Sequence, residues 1–163
     1  MRHIDIVLVS VNSPILCGLY ENNILFESLQ SDEPLLIGLP RLFESLLPTA
    51  EQNPAYKDTK IESIYYANGP GSFSALKLIH IFLHTLQSIY KIGLFATSSF
   101  YFTQSAYIKA FGTSYFYINP QGEIALKQNL ESQPQEIEFA LPQILDTSAF
   151  TAFTQPLYIL PPV

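Results

Sequence analysis

The segment Asn68-Gly69-Pro70-Gly71-Ser72-Phe73 decides the fold, because it joins two apolar stretches of different length. Residues 61–67 form a short run that favours a strand, whereas residues 75–90 form an apolar run long enough for a helix. The two glycines allow backbone conformations closed to other residues, the proline fixes φ between them, and the serine suits a helix N-cap. The segment therefore predicts a strand, a tight turn and a helix that begins at Ser72 and ends at Tyr90.

The start of this helix is also a candidate anion site. Backbone amides in the first turn of a helix are unpaired and carry partial positive charge. Gly69, Gly71 and Ser72 are the residues that would form such a site. Many glycine turns bind nothing, so a tight turn without a ligand remains the alternative.

The flanking sequence predicts a strand-rich first lobe, residues 1–98, and a shorter second lobe, residues 99–163. Apolar runs separated by Asn, Ser and Pro turns predict an antiparallel meander of three strands, and Pro40 suits the first turn of a helix. The strands of the first lobe are expected at residues 4–11, 15–20, 24–29, 61–67 and 94–96, with helices at 40–47 and 72–90. The second lobe is expected to hold a helix at 99–110, a hairpin at 115–127 and a final strand at 157–160.

The composition predicts a protein with much apolar surface. Charged residues make up 13% of the chain, about half the roughly 25% of an average soluble protein. Hydrophobic residues make up 48%, including 12 Phe and 10 Tyr. A chain of 163 residues has difficulty burying this much apolar material by itself. Burial in a partner interface and an aromatic-rich core are both open interpretations.

The charge pattern disfavours strong, direct nucleic-acid binding. The net charge is −6, and no two of the eight basic residues are adjacent. The uncharged stretch at residues 92–108 is too short and too polar to span a bilayer. No signal peptide is recognised, because Asp5 interrupts the N-terminal apolar run. We expect a cytoplasmic protein that does not enter a membrane.

The turn carries a resemblance to a known family. Residues 69–77, Gly-Pro-Gly-Ser-Phe-Ser-Ala-Leu-Lys, resemble the Gly-Pro-Gly-Ser-Phe-Thr-Gly-Leu-Arg signature of the TsaB (YeaZ-like) family. The first five residues and Leu76 match, whereas Ser74, Ala75 and Lys77 differ from the signature. Weaker likeness continues through residues 93–100 and resumes at residues 156–160.

The resemblance implies an α/β protein with the actin-like ATPase (ASKHA) fold, a mixed sheet with flanking helices, here with a reduced second lobe. It also implies a non-catalytic scaffold subunit of the machinery that makes threonylcarbamoyladenosine (t6A) in tRNA. Such a subunit binds TsaD, which transfers the threonylcarbamoyl group, and the ATPase TsaE joins the complex. No cofactor and no catalytic residue are implied for the chain itself.

The resemblance further implies that helices pair with helices of the partner in a four-helix bundle. Carried onto this sequence, the partner surface lies on the helices at 40–47 and 72–90. The candidate interface residues are Leu42, Phe43, Leu46, Leu76, Ile79, Leu83 and Leu86. A wide apolar stripe on a helix also suits an ordinary core, and a homodimer through the same surface is an alternative.

Catalysis within the chain is not expected. The family often shows Asp-Thr-Ser near the end of the first strand, where this chain has residues 9–13, Val-Ser-Val-Asn-Ser, without a carboxylate. Ser72 lacks a nucleophile elbow and a neighbouring histidine. His80 and His84 share one helix face, but no third metal ligand is evident, so no metal is expected. Cys17 is predicted to be a small core residue.

Two alternatives from other classes stay open. A small-anion or nucleotide-binding domain with weak hydrolase activity would use the amides after Gly71, although the missing aspartate counts against it. A structural homodimer outside tRNA modification is the other.

Overall fold

Eight strands, two α-helices and three short 3-10 helices follow one another in the computed structural model, which describes residues 1–128 and 138–159. The strands and helices are β1 (Arg2–Val9), β2 (Ile15–Glu21), β3 (Ile24–Ser31), α1 (Leu35–Leu46), β4 (Thr59–Ala67), α2 (Phe73–Tyr90), β5 (Gly93–Thr97), β6 (Ile108–Lys109), β7 (Ser114–Ile118) and β8 (Ile124–Gln128).

The larger sheet has five strands in the order β3-β2-β1-β4-β5. β1, β2 and β3 pair antiparallel, so the predicted meander is confirmed. β4 pairs parallel with β1 and with β5, and α2 makes the crossover between β4 and β5. The result is a mixed α/β architecture, as the sequence predicted.

Turn chemistry sets the register of the meander. Asn22 and Asn23 join β2 to β3 with φ of 52° and 64°, the left-handed conformation that two-residue hairpin turns require. Asparagine adopts this conformation at lower cost than most residues. The register that follows places Cys17 and Leu19 in the core, where both are fully buried.

Both helices bury an apolar stripe. Leu39 and Phe43 of α1 and Ile79 and Leu83 of α2 belong to the core, and the rings of Phe43 and Phe82 meet edge-on at 5.6 Å between centroids. The two helices are therefore neighbours over the sheet.

The prediction for the first residue of α1 was wrong. The helix begins at Leu35, directly after Pro34, and Pro40 lies inside it rather than in its first turn. Pro40 has no backbone N–H, so the Leu36 carbonyl loses its helical hydrogen bond, and this loss destabilises the helix. The sequence predicts that Pro40 fixes φ at the helix start, whereas Pro34 has this role in the structure.

The smaller sheet consists of β6, β7 and β8 in that order, all antiparallel. The predicted hairpin is confirmed as β7 and β8. Its turn is closed by the Asn119 side chain, which accepts hydrogen bonds from the backbone amides of Gln121 and Glu123 at 3.0 and 2.9 Å.

The predicted helix at 99–110 was wrong. Only Ser99–Phe102 is helical, as one 3-10 turn, and β6 follows after a loop. Thr103 and Ser105 explain the break, because their hydroxyls bond neighbouring backbone amides and so compete with helical hydrogen bonds.

The C-terminal residues return to the larger sheet. Leu145 and Phe150 lie in its core, and Thr151 exchanges two backbone hydrogen bonds of 2.9 Å with Ala96 of β5. The predicted strand at 157–160 was wrong for residues 157–159, which form no ladder, and Leu160 lies outside the described residues. The division into lobes at residue 98 stays a prediction, although residues 140–157 pack against the first sheet.

Candidate functional site at the glycine turn and the helices

The turn between β4 and α2 is clamped by its own chain. Asn68 is buried, its backbone amide donates to Thr97 at 3.1 Å, and its side-chain amide donates to the Gln155 carbonyl at 2.9 Å. The Gly69 carbonyl accepts from the Ser99 amide at 2.8 Å. These bonds hold the turn between β5 and the C-terminal segment.

The two glycines are required for different reasons. Gly69 has φ of +127°, and a side chain there would meet the Leu157 carbonyl oxygen at 2.8 Å. Gly71 sits against the chain just after β1, where an added Cβ would lie 2.7 Å from the Cβ of Val11. Close packing, rather than an open phosphate-binding loop, accounts for both positions.

Ser72 begins α2 as predicted. It is the N-cap residue, with its Oγ 3.5 Å from the Ala75 amide that donates to it and 3.1 Å from the Ser74 Oγ. The predicted anion site is therefore exposed at its Ser72 end and buried at Gly69 and Gly71. Whether an anion binds there stays a prediction.

A cavity of about 540 Å³ lies beside this helix start, between the end of β1 and the start of α1. Its lining includes Ser10, Asn12 and Ser72, together with Asp32 and Glu33. The two carboxylates were missed by the sequence analysis, because they follow β3 and only the fold brings them next to the end of β1. They oppose the binding of an anion in this cavity.

Metal-ion chemistry gains no support from these carboxylates. Glu33 accepts a 2.7 Å hydrogen bond from the exposed Arg41. Among residues 1–128 and 138–159, no group of three or more His, Cys, Asp or Glu side chains could hold a metal ion. Ser10 is 3% exposed, and its Oγ has no hydrogen-bond partner within the described residues.

Six of the seven predicted interface residues are core residues. Phe43, Leu46, Leu76, Ile79, Leu83 and Leu86 are at most 7% exposed, and Leu42 is partly buried against the same core. Side chains this buried cannot contact a partner unless the chain unfolds locally. The assignment of the six buried residues to a partner surface is therefore corrected, while that of Leu42 and the predicted use of the two helices stay predictions.

The same helices present other apolar side chains to solvent. Leu36 and Ile37 of α1 are 71% and 48% exposed, and Ile81 and Ile89 of α2 are 56% and 63% exposed. Lys77 is the single charged residue of the 18 that form α2. Exposed apolar residues on a nearly uncharged helix are typical of a protein–protein contact. We call these four side chains the exposed helical face.

His80 and His84 do lie together, as their spacing predicted. Their ring centroids are 4.2 Å apart, and the Nε2 of His84 lies 3.2 Å from the hydroxyl oxygen of Thr154. Partial burial, and secondarily the neighbouring His80, lower the pKa of His84 below its ordinary value. Within the described part of the chain, the pair has no further His, Cys, Asp or Glu to complete a metal site.

Cys17 is a core residue, as predicted. Its side chain is fully buried, and burial raises the pKa of the thiol to about 12. The thiolate is the reactive form of cysteine, so this residue is inert in the folded protein.

No helix in the described ranges combines the length and the apolar character that crossing a membrane requires.

Comparison with known proteins identifies the fold but leaves the family open. No protein-family model matches the chain, and no curated protein matches it. Among solved structures, YeaZ from Pseudomonas aeruginosa matches with a TM-score of 0.52 at 16% identity, covering 79% of this chain and 65% of that one. A second structure, an uncharacterized protein from P. aeruginosa with similarity to the peptidase YEAZ, matches with a TM-score of 0.48 at 15% identity and the same coverage.

The chain thus spans less than two thirds of the length of these solved structures. The first match shows that this chain has a YeaZ-like fold.

Proposed function

We propose that this chain is a TsaB-like scaffold subunit that binds and stabilises a TsaD-like catalytic partner in tRNA threonylcarbamoyladenosine modification. The observation that carries the proposal is the occurrence of two independent likenesses in one chain. The Gly-Pro-Gly-Ser-Phe signature lies at the strand–turn–helix junction, inside a chain with a YeaZ-like fold. The actin-like ATPase fold and the role of a TsaE-like ATPase in the assembled complex belong to the same proposal.

The exposed helical face supplies the contact in this proposal. Burying its four apolar side chains against apolar helices of a partner would remove from water a surface that α1 and α2 leave uncovered. The core residues beneath it, such as Phe43 and Leu83, hold the two helices in place. Their role is to position the contact rather than to make it.

A non-catalytic role agrees with the chemistry of the chain. The single cysteine is buried, Ser72 hydrogen-bonds to Ser74 and caps its own helix, and the stretch after β1 carries no carboxylate. Asp32 and Glu33 share the cavity at the helix start with Ser72, which counts against the binding of a bare anion there, because the carboxylates and the anion repel each other.

The test is size-exclusion chromatography with light scattering on this chain mixed with the TsaD-like protein of its own organism. We expect a one-to-one complex that Ile81→Asp weakens, because a charge on the exposed helical face cannot be buried cheaply. The matched control is Ile144→Asp, which changes an isoleucine that is 70% exposed on the C-terminal segment. It should leave the complex intact.

Three outcomes would contradict the proposal. Failure to associate, together with saturable nucleotide binding by the chain alone, would favour the anion-binding domain. A homodimer that does not dissociate when the TsaD-like protein is added would favour a structural dimer. Equal weakening by Ile81→Asp and Ile144→Asp would remove the helical face from the contact.

A further inference from the structure

The small sheet gathers aromatic and cationic side chains on one face. Residues that lie opposite one another in an antiparallel ladder share a face. Tyr115 of β7 lies opposite Lys109 of β6 on one side and opposite Lys127 of β8 on the other. The ring of Tyr107 lies 6.4 Å from that of Tyr115 and 6.3 Å from that of Tyr117. We call these five residues the tyrosine–lysine face.

The opposite face of the same sheet is turned inward. Ile108, Ser114 and Phe116 alternate with the residues of the tyrosine–lysine face and are at most 2% exposed. The three tyrosines are partly exposed and both lysines are exposed. The tyrosine–lysine face is therefore the outer surface of the sheet, with the rings supported by one another and by the buried layer beneath them.

The charge of this face is positive in a protein with a net charge of −6. Lys109 and Lys127 form no ion pair with any described residue. The Nζ of Lys127 lies 5.9 Å from the ring centroid of Tyr117, so cation and aromatic ring are side by side. Lys109 also lines a cavity of about 690 Å³ that extends from this sheet to Ser72. Glu123, in the turn, is the one acidic residue among residues 114–128, which form the hairpin.

We propose that the tyrosine–lysine face binds single-stranded nucleic acid. Every base has a π-face that can stack on a tyrosine ring, and lysines beside the rings can neutralise the phosphates between stacked bases. Three neighbouring rings flanked by two lysines that pair with no described carboxylate match this combination. An acidic protein segment would also pair with the lysines, and competition with polyglutamate distinguishes it from a nucleic acid.

This proposal does not depend on a TsaD-like partner. The sequence alone disfavours strong, direct nucleic-acid binding, because no two basic residues are adjacent. The fold brings together two lysines that are distant in sequence, and the resulting contact is small. Binding is therefore expected to be weak and strongly dependent on salt, as backbone electrostatics require.

The test is fluorescence anisotropy of labelled oligouridine and oligothymidine of about a dozen nucleotides, titrated at low salt with the full chain. We expect saturable binding that Tyr117→Ala weakens about five-fold or more, because a stacking platform is lost, and that Tyr117→Phe retains. Lys127→Gln should reduce the slope of log affinity against log salt by about 0.7, the change for one phosphate contact with a single strand. Lys57→Gln, in the loop before β4, is the matched control and should leave the affinity and the slope unchanged.

Circular dichroism separates binding from folding. If Tyr117→Ala proves unfolded, the exposed Lys109→Gln and Lys127→Gln variants decide the matter alone. Absence of saturable binding overturns the proposal, as does an equal loss in Lys57→Gln and Lys127→Gln. Displacement of the oligonucleotide by polyglutamate as effectively as by unlabelled oligouridine would assign the face to an acidic protein segment instead.

Discussion

At the scale of single residues, Gly69 packs closely against Leu157 of the C-terminal segment. Its φ of +127° and its contact with Leu157 both exclude a side chain. Gly112 also has positive φ, at +60°, but an added Cβ there would meet nothing within 4 Å. The two glycines thus separate the cost of backbone strain from the cost of a steric clash.

We predict that Gly69→Ala lowers the free energy of unfolding by at least about 1 kcal/mol more than Gly112→Ala does. Gly112→Ala should itself cost about 1 kcal/mol, the penalty for a left-handed residue with a Cβ. Urea denaturation of both variants measures the difference. Equal losses would show that Leu157 does not pack against the turn.

The fully buried Cys17 leads to a second prediction. Because burial raises its pKa to about 12, we expect no alkylation by iodoacetamide in the native protein and complete alkylation after unfolding in urea. Mass spectrometry of the intact chain reads both states. Rapid labelling without denaturant would place the thiol outside the core.

His84 makes stability depend on pH. Its pKa is lowered in the folded state, first by burial and then by His80, so the unfolded chain binds more protons at mildly acidic pH. Stability should therefore fall as pH decreases through the ordinary histidine value near 6.5. His84→Gln should reduce the difference between the urea midpoints at pH about 7.5 and about 5.5. An undiminished difference in the variant would assign the effect to other groups.

At the scale of elements, α2 has one stripe in the core and another in solvent. Leu83 is fully buried, whereas Ile81, two residues earlier, is 56% exposed. Leu83→Ala should cost about 2–5 kcal/mol of unfolding free energy through lost burial and a cavity. Ile81→Ala should cost no more than about 0.5 kcal/mol. Chemical denaturation compares the two, and similar costs would contradict the orientation of the helix.

The elements that the sequence predicted correctly are those bounded by residues that favour turns. β1 to β5 and α2 are apolar runs bounded by Asn, Gly or Pro, so existence and order of these elements followed from the residues. The helix expected after Ser99 failed because hydroxyl side chains at Thr103 and Ser105 bond the backbone locally, a competition that an apolar pattern does not register.

The site was harder to predict than the fold. A broad apolar stripe identifies a helix but does not say which of its residues face the sheet, so the stripe predicts an interface at Phe43 and Leu83, which belong to the core. The carboxylates of Asp32 and Glu33 reach the cavity beside Ser72 only through the packing of β3 and α1. Such proximity depends on tertiary structure rather than on local sequence.

At the scale of the whole molecule, the low content of charged residues and the YeaZ-like fold both support the scaffold proposal. The chain buries several large aromatic side chains, such as Tyr20 and Tyr66, yet leaves the exposed helical face uncovered. The small sheet adds a second, chemically different surface.

The most direct measurement is threonylcarbamoyl transfer to tRNA by the TsaD-like protein, with the other components of the pathway present, in the presence and absence of this chain. We predict that transfer requires this chain and that Ile81→Asp reduces it while Ile144→Asp does not. Full activity of the TsaD-like protein without this chain would contradict the scaffold role.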